Sequence, residues 1–197
     1  LWLIVLFVIG SAHLWCSVLG QVWFTALIVG VTFHLGYLYF AIDVRRPFLA
    51  GLCLSAAFAT RAPLVFGAIF FYWQLAFNAL PERTTRDKWQ AFLSFSTPCL
   101  LVGSALLIYN AARFGDPMEF GHTYLAGGTI PRIRDFGLFH PDFLNRNLAA
   151  AFTLTPRVTD TFPYVQFSKH GMSIFLSTPA LIWLFSSRSS DALWRPV

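Results

Sequence analysis

An arginine set two residues before a proline, inside a long apolar stretch, is the first place in this chain where chemistry could be done. Arg61-Ala62-Pro63 interrupts the run from Phe48 to Leu80. A guanidinium is a planar fork of donors that suits a phosphate better than a point charge does, so Arg61 could meet the phosphate of a lipid-linked ligand. It could equally snorkel to headgroups or pair with a carboxylate for folding. A second group is Arg113, Asp116, Glu119 and His122, where a carboxylate near a histidine could serve as acid or base. Against that, Gly115, Asp116 and Pro117 read as an ordinary turn, and Glu119 reads as a partner for Arg113. Lys169 and His170 could approach phosphate or sugar, or serve as interface anchors. His13 could line the same outer cavity, and His34, mid-run among Phe33, Leu35 and Tyr37, fits a helix-packing hydrogen bond.

Other chemistries find little support. Cys16, Cys53 and Cys99 have no CxxC or Cys/His spacing, so buried thiols are expected. No histidine pair has zinc spacing, and no phosphate-binding loop, dinucleotide motif or nucleophile elbow is present. The seven tryptophans could stack on carbohydrate, but most fall near the ends of apolar runs, where an aromatic belt accounts for them.

The elements that must position these residues are apolar. Val22 to Ile42 holds no charged side chain, and Asp43, Arg45, Arg46 and Pro47 follow at once. About 20 apolar residues at 1.5 Å rise cross a hydrocarbon core of roughly 30 Å. The composition agrees: 56% hydrophobic, 18% aromatic and only 12% charged is more apolar than a soluble core requires. The net charge of +5 is divided among short groups between apolar runs, so it signals topology and not nucleic-acid binding.

Three basic groups, Arg45 and Arg46, then Arg83, Arg86 and Lys88, then Arg188 and Arg195, are expected on the cytoplasmic side. An even number of crossings then separates each pair. Phe48 to Leu80 must go out and come back, with its break at Pro63, which removes a donor and turns Ala62 from helical geometry. Its first arm, about 13 residues long, rises only about 20 Å and puts Arg61 at the tip of a short or re-entrant helix. Ala91 to Tyr109 and Met172 to Phe185 serve as the remaining crossings, the latter open to kinking at Pro179. The expected fold is all-α and polytopic, one transmembrane region over residues 1–197 with about five spanning or re-entrant segments.

Between the last two crossings lies an extracytoplasmic loop, Asn110 to Gly171. Within it Phe143, Leu144, Leu148 and Phe152 recur at helical spacing, and His140-Pro141-Asp142 resembles a helix start. A helix along the membrane interface is expected there. The run Leu1 to Ile9 is too short to span and has no basic segment before it, so it reads as a truncated helix of a longer protein and not as a signal peptide.

In order and spacing, GSAHLWCSVLGQVWFTALIVG, RRPFLAGLCLSAAFATRAP, YNAARFGDPMEFGHTYL and HGMSIFLSTPALIWL resemble membrane glycosyltransferases of the GT-C fold. The nearest likeness is to bacterial relatives of the protein O-mannosyltransferases and the aminoarabinose transferase. The resemblance implies an enzyme of the bacterial inner membrane that moves a sugar from a polyprenyl-phosphate carrier to an acceptor on the outer face, by inverting displacement at the anomeric carbon. It also implies a catalytic carboxylate in a first external loop, expected upstream of Leu1, so no catalytic residue is assigned within the chain. Some relatives use a divalent metal, but no ligand cluster is evident here. The resemblance favours Arg61 as a phosphate ligand, with Arg113, Glu119, His122 and Lys169 as further substrate or lipid-phosphate candidates. Two other readings remain: a transporter or flippase-like protein binding an anionic substrate at a broken helix, which calls for a second broken helix in a corresponding half, a repeat the sequence does not show, or a non-catalytic scaffold.

Overall fold

The structure, a computed structural model, describes residues 1–78, 84–124, 131, 135–137, 140–168 and 171–185. The chain is mostly helical and divides into two compact units, one of residues 16–131 and one of residues 1–15 with 132–197.

The first unit is built on α3 (Val22–Ala41), α4 (Pro47–Thr60), α5 (Ala68–Trp73) and α6 (Thr85–Phe114). α3 carries no charge from end to end, and with its terminal turn it is one of two helices long and apolar enough to cross a membrane. α6 is the other. At 30 residues, α6 rises about 45 Å and outreaches a hydrocarbon core. Its start is set by Thr84 and Asp87: the Thr84 hydroxyl accepts from the Asp87 N–H, and the Asp87 carboxylate accepts from the Thr84 N–H. Its end is set by Gly115 in the left-handed region, φ 78°.

α3 ends in a tight reversal that puts Val44 at φ 54°, an uncommon conformation for a β-branched residue. The strain persists because the Val44 side chain is 1% exposed in the core. Pro47 then opens α4 from its first position. α4 ends at Thr60 where the break was expected. Arg61 is extended, and Ala62 to Gly67 form a 3-10 turn before α5 and a π turn, Gln74–Asn78.

Packing pairs show the directions. A Cβ on Gly36 would touch Cys53, and one on Gly30 would strike Thr60 and Leu64, so α3 and α4 run antiparallel in close contact. Tyr37 reaches Gly67 and Phe71, which makes α5 parallel to α3. Phe71 stacks on Phe95 at 3.9 Å and Tyr72 meets Ser96 at 3.1 Å, while Leu75 and Ala76 lie by Lys88 and Trp89, so α6 returns antiparallel to α5. The alternation is down, up, down, up. It gathers Arg45, Arg46, Arg86 and Lys88 at one end. The core, Tyr37, Ala41, Val44, Ala50, Leu54, Phe71, Leu75, Ala91 and Phe95, lies where the four elements meet.

In the second unit, α1 (Trp2–Ile9) is followed by α2 (Ala12–Leu19), which crosses the unit boundary, at a bend of 56°. The helix expected from His140 to Leu154 is α7 (Asp142–Phe152), with Leu144, Leu148 and Phe152 exposed along one face. Two expectations need correction. Met172 to Phe185 is not a span-length helix: it divides into α8 (Ile174–Ser177), capped by Ser173, and a 3-10 turn over Pro179–Phe185. Thr178, before Pro179, leaves helical geometry at φ −142°. Nor is the chain wholly α, since β1 (Arg157–Val158) and β2 (Val165–Gln166) form a short antiparallel ladder. By length and composition, two helices could cross a membrane, or three if the bent α1–α2 pair is one span, and Pro47–Thr60 and Ala62–Phe77 are shorter apolar helices, which leaves the expected number of spanning or re-entrant segments, about five, unconfirmed.

Candidate functional site

Arg61 owes its position to Pro63 and to a glycine on the neighbouring helix. Because Gly30 has no side chain, α3 approaches the end of α4 closely enough to place Thr60 and Leu64 against it. Trp23 lies seven residues before Gly30, two turns along the same face of α3. There Arg61 Nη2 donates to the Trp23 carbonyl oxygen at 2.8 Å, and Arg61 Cζ lies 5.5 Å from the centre of the Trp23 ring. Arg61 Nε is covered and has no hydrogen-bond partner. No carboxylate pairs with Arg61 among the described residues. The guanidinium is oriented by a carbonyl and a ring, with donors left over.

Level along the bundle follows by counting. Gly51 of α4 lies against Phe95 of α6. Arg61 is ten residues beyond Gly51 and Arg113 eighteen beyond Phe95, a difference of about 12 Å at 1.5 Å per residue. Arg61 therefore lies short of the level at which α6 ends.

Beyond α6 the loop folds back on the helix. Asn110, buried, donates from Nδ2 to the Pro117 carbonyl at 3.3 Å, and the Met118 N–H donates to Asp116 Oδ1 at 2.8 Å. The turn expected at Gly115-Asp116-Pro117 is thus closed by the aspartate's own side chain. Arg113 does not pair with Glu119. Its guanidinium lies 4.9 Å from the Phe114 ring and within 3.5 Å of the Tyr109 hydroxyl, and Phe114 stacks on Tyr124 at 5.3 Å. Gly121, at φ 81°, allows this stack, since a Cβ there would come within 3.2 Å of Phe114.

Glu119 is held by its own loop. Thr123 Oγ1 donates to Glu119 Oε2 at 2.8 Å. That hydroxyl, aided by the N–H groups of Gly121, Thr123 and His122 and opposed by desolvation, holds the carboxyl below the ordinary carboxylate range. A carboxylate so stabilised is a weak base, and the imidazole of His122, exposed at the head of the next 3-10 turn, makes no hydrogen bond to it. Because the folded-state pKa is depressed, Glu119 favours this loop above the unfolded carboxylate pKa, and that contribution is lost as pH falls through the lower folded value. Thr123→Ala is expected to move the Glu119 titration up toward the free value, read from its carboxyl carbon by NMR.

The remaining candidates are dispersed. His34 makes no hydrogen bond through Nδ1. Its ring packs on Gly67 and lies 5.2 Å from Tyr37, whose hydroxyl makes the polar contacts instead. The His13 ring lies 4.9 Å from that of Phe7, tilted to it, within its own unit. Lys169 and His170 lie outside the described residues, as do Arg83, Arg188 and Arg195. Among the described residues no group of histidine, cysteine and carboxylate could hold a metal. Trp23 and Thr123 emerge only from the structure. Trp23 resembles any belt tryptophan in sequence, and Thr123 gains its role from a turn four residues long.

No protein-family model, curated protein or solved structure matches the chain. What the fold and the site define is therefore a class: a mostly helical chain with two helices able to cross a membrane and an arginine held at a helix break.

Proposed function

We propose that the chain forms the membrane-embedded part of a glycosyltransferase that takes a sugar from a polyprenyl-phosphate carrier and delivers it to an acceptor on the extracytoplasmic face, in a bacterial inner membrane. The observation that carries this reading is Arg61. It stands below the level at which α6 ends, oriented by Trp23, and no carboxylate pairs with it among the described residues. In this reading the donor phosphate accepts from the free guanidinium edge. The sugar then lies toward the loop after α6, with Arg113 as a further positive charge. The gathering of Arg45, Arg46, Arg86 and Lys88 at the opposite end of the unit supports the orientation, since short basic loops stay cytoplasmic.

Arg61→Ala is expected to weaken binding of a polyprenyl-phosphate sugar by roughly 10- to 100-fold, the worth of one hydrogen bond to a charged group. Arg61→Lys should recover part of the affinity, because an ammonium keeps the charge without the fork. Donor-lipid binding that is the same in all three proteins, measured by titration in detergent, rules the reading out.

The second reading is transport. The bent α1–α2 pair is a second interrupted helix, which supports this reading. Its break at Gly10 and Ser11 carries no basic residue, which leaves Arg61 without a counterpart. Uptake of an anionic solute into vesicles that depends on Arg61, without donor-lipid binding, would favour it.

A further inference from the structure

At the basic end of the first unit, α5 and α6 leave an open groove. Tyr72 lies in its wall with its hydroxyl engaged by Ser96, and Phe71, beside Tyr72, stacks on Phe95. Toward the end of the bundle, the π turn puts Leu75 and the small Ala76 in one wall, with Trp89 and Phe92 of α6 in the other. The result is a furrow of about 340 Å3 with apolar walls. Apart from the engaged Tyr72 hydroxyl, its polar side chains are Thr85 and Lys88 in the first turn of α6. No carboxylate pairs with Lys88 among the described residues.

The lining restricts the occupant. A peptide or sugar would leave its polar groups without partners along these walls. A ligand with a long apolar tail and one negative head suits them. Bilayer lipid meets the same requirement by position: the groove opens on the flank of a span-length helix, in its first turns, beside the exposed ring of Trp89. Arg45, Arg46 and Arg86 at the same end add positive charge, which favours an anionic headgroup over a zwitterionic one.

We propose that this groove binds one anionic phospholipid of the surrounding bilayer, an acyl chain lying along Ala76, Trp89 and Phe92 and the headgroup phosphate meeting the Lys88 ammonium. The site lies at the other end of the unit from Arg61 and is independent of the donor-lipid reading.

Trp89 makes the proposal measurable. The chain and its Trp89→Phe variant would be placed in phosphatidylcholine vesicles containing either tail-brominated phosphatidylglycerol or tail-brominated phosphatidylcholine. The difference between the two proteins isolates the quenching of Trp89. It is expected to show a preference for phosphatidylglycerol of about fivefold, equivalent to ~1 kcal/mol for one lysine at an anionic headgroup. Lys88→Gln should reduce the preference while leaving quenching by both lipids, and Ala76→Phe, which fills the groove, should reduce quenching by both. Equal quenching by the two lipids in the unmodified chain overturns the proposal, as does a preference that Lys88→Gln leaves undiminished. Displacement of brominated phosphatidylglycerol by equimolar polyprenyl phosphate overturns it too, and assigns the groove to the carrier lipid. Circular dichroism of each variant guards against a lost fold.

Discussion

Gly51→Ala is expected to cost the first unit most of its stability. A Cβ at Gly51 would strike the Phe95 carbonyl oxygen, with the Phe95 carbonyl carbon at 3.0 Å and Pro98 Cγ at 2.8 Å. These are backbone and ring atoms that cannot rotate aside. α4 and α6 would have to separate. Separation pulls Cys99 Sγ from the Gly51 carbonyl, now at 3.6 Å, and loosens Phe95 from Phe71. Overpacking costs about 1–3 kcal/mol where side chains can adjust, and more where they cannot. In a bilayer the loss is felt in full, because helices there are held by close packing and not by exclusion of water. Gly103→Ala, on α6 in open surroundings, is the matched control and should be neutral or gain up to about 1 kcal/mol. Thermal unfolding in detergent separates the two, and equal midpoints would mean that α4 and α6 do not touch at Gly51.

Tyr37→Phe should be the next most damaging change. The Tyr37 hydroxyl donates to the Gly67 carbonyl at 2.6 Å and accepts from the Phe71 N–H at 3.1 Å. Those two backbone groups are four residues apart, a helical pair that the hydroxyl bridges where the 3-10 turn passes into α5. Without it both are left in an apolar core, at about 1–3 kcal/mol each. They could relieve the loss by pairing directly, but Gly67 is packed against His34 and Leu54 and has little room to shift. Faster amide exchange at Phe71, with a lowered unfolding midpoint, is the expected signature. An unchanged exchange rate would show that the helix closes on itself and that the hydroxyl is dispensable.

Local chemistry was legible wherever one or two residue types force the backbone. The boundary of α3 follows from an unbroken apolar run, and the end of α4 from Pro63. The capping box at Thr84 and Asp87 was equally legible and would have extended the helix expected from Ala91 back to Thr85. The last apolar segment misled because apolarity sets an environment and not a conformation: Met172 to Phe185 is greasy enough to span, yet Ser173, Thr178 and Pro179 divide it. The candidate site was legible in its residue but not in its partner. Arg61 could be singled out as a charge in an apolar run, whereas the carbonyl that orients it lies 38 residues away.

The sequence by itself therefore determined that the chain is helical and apolar enough for a membrane, where its helices break, and that Arg61 stands at one of those breaks. Tertiary structure decided which faces meet, and with them the Trp23 contact, the Tyr37 bridge and the groove beside Lys88. The reason is physical. α3 and α4 are apolar on every side, so no polar face marks which way they turn. Their pairing is settled by where Gly30, Gly36 and Gly51 let one backbone come close to another helix.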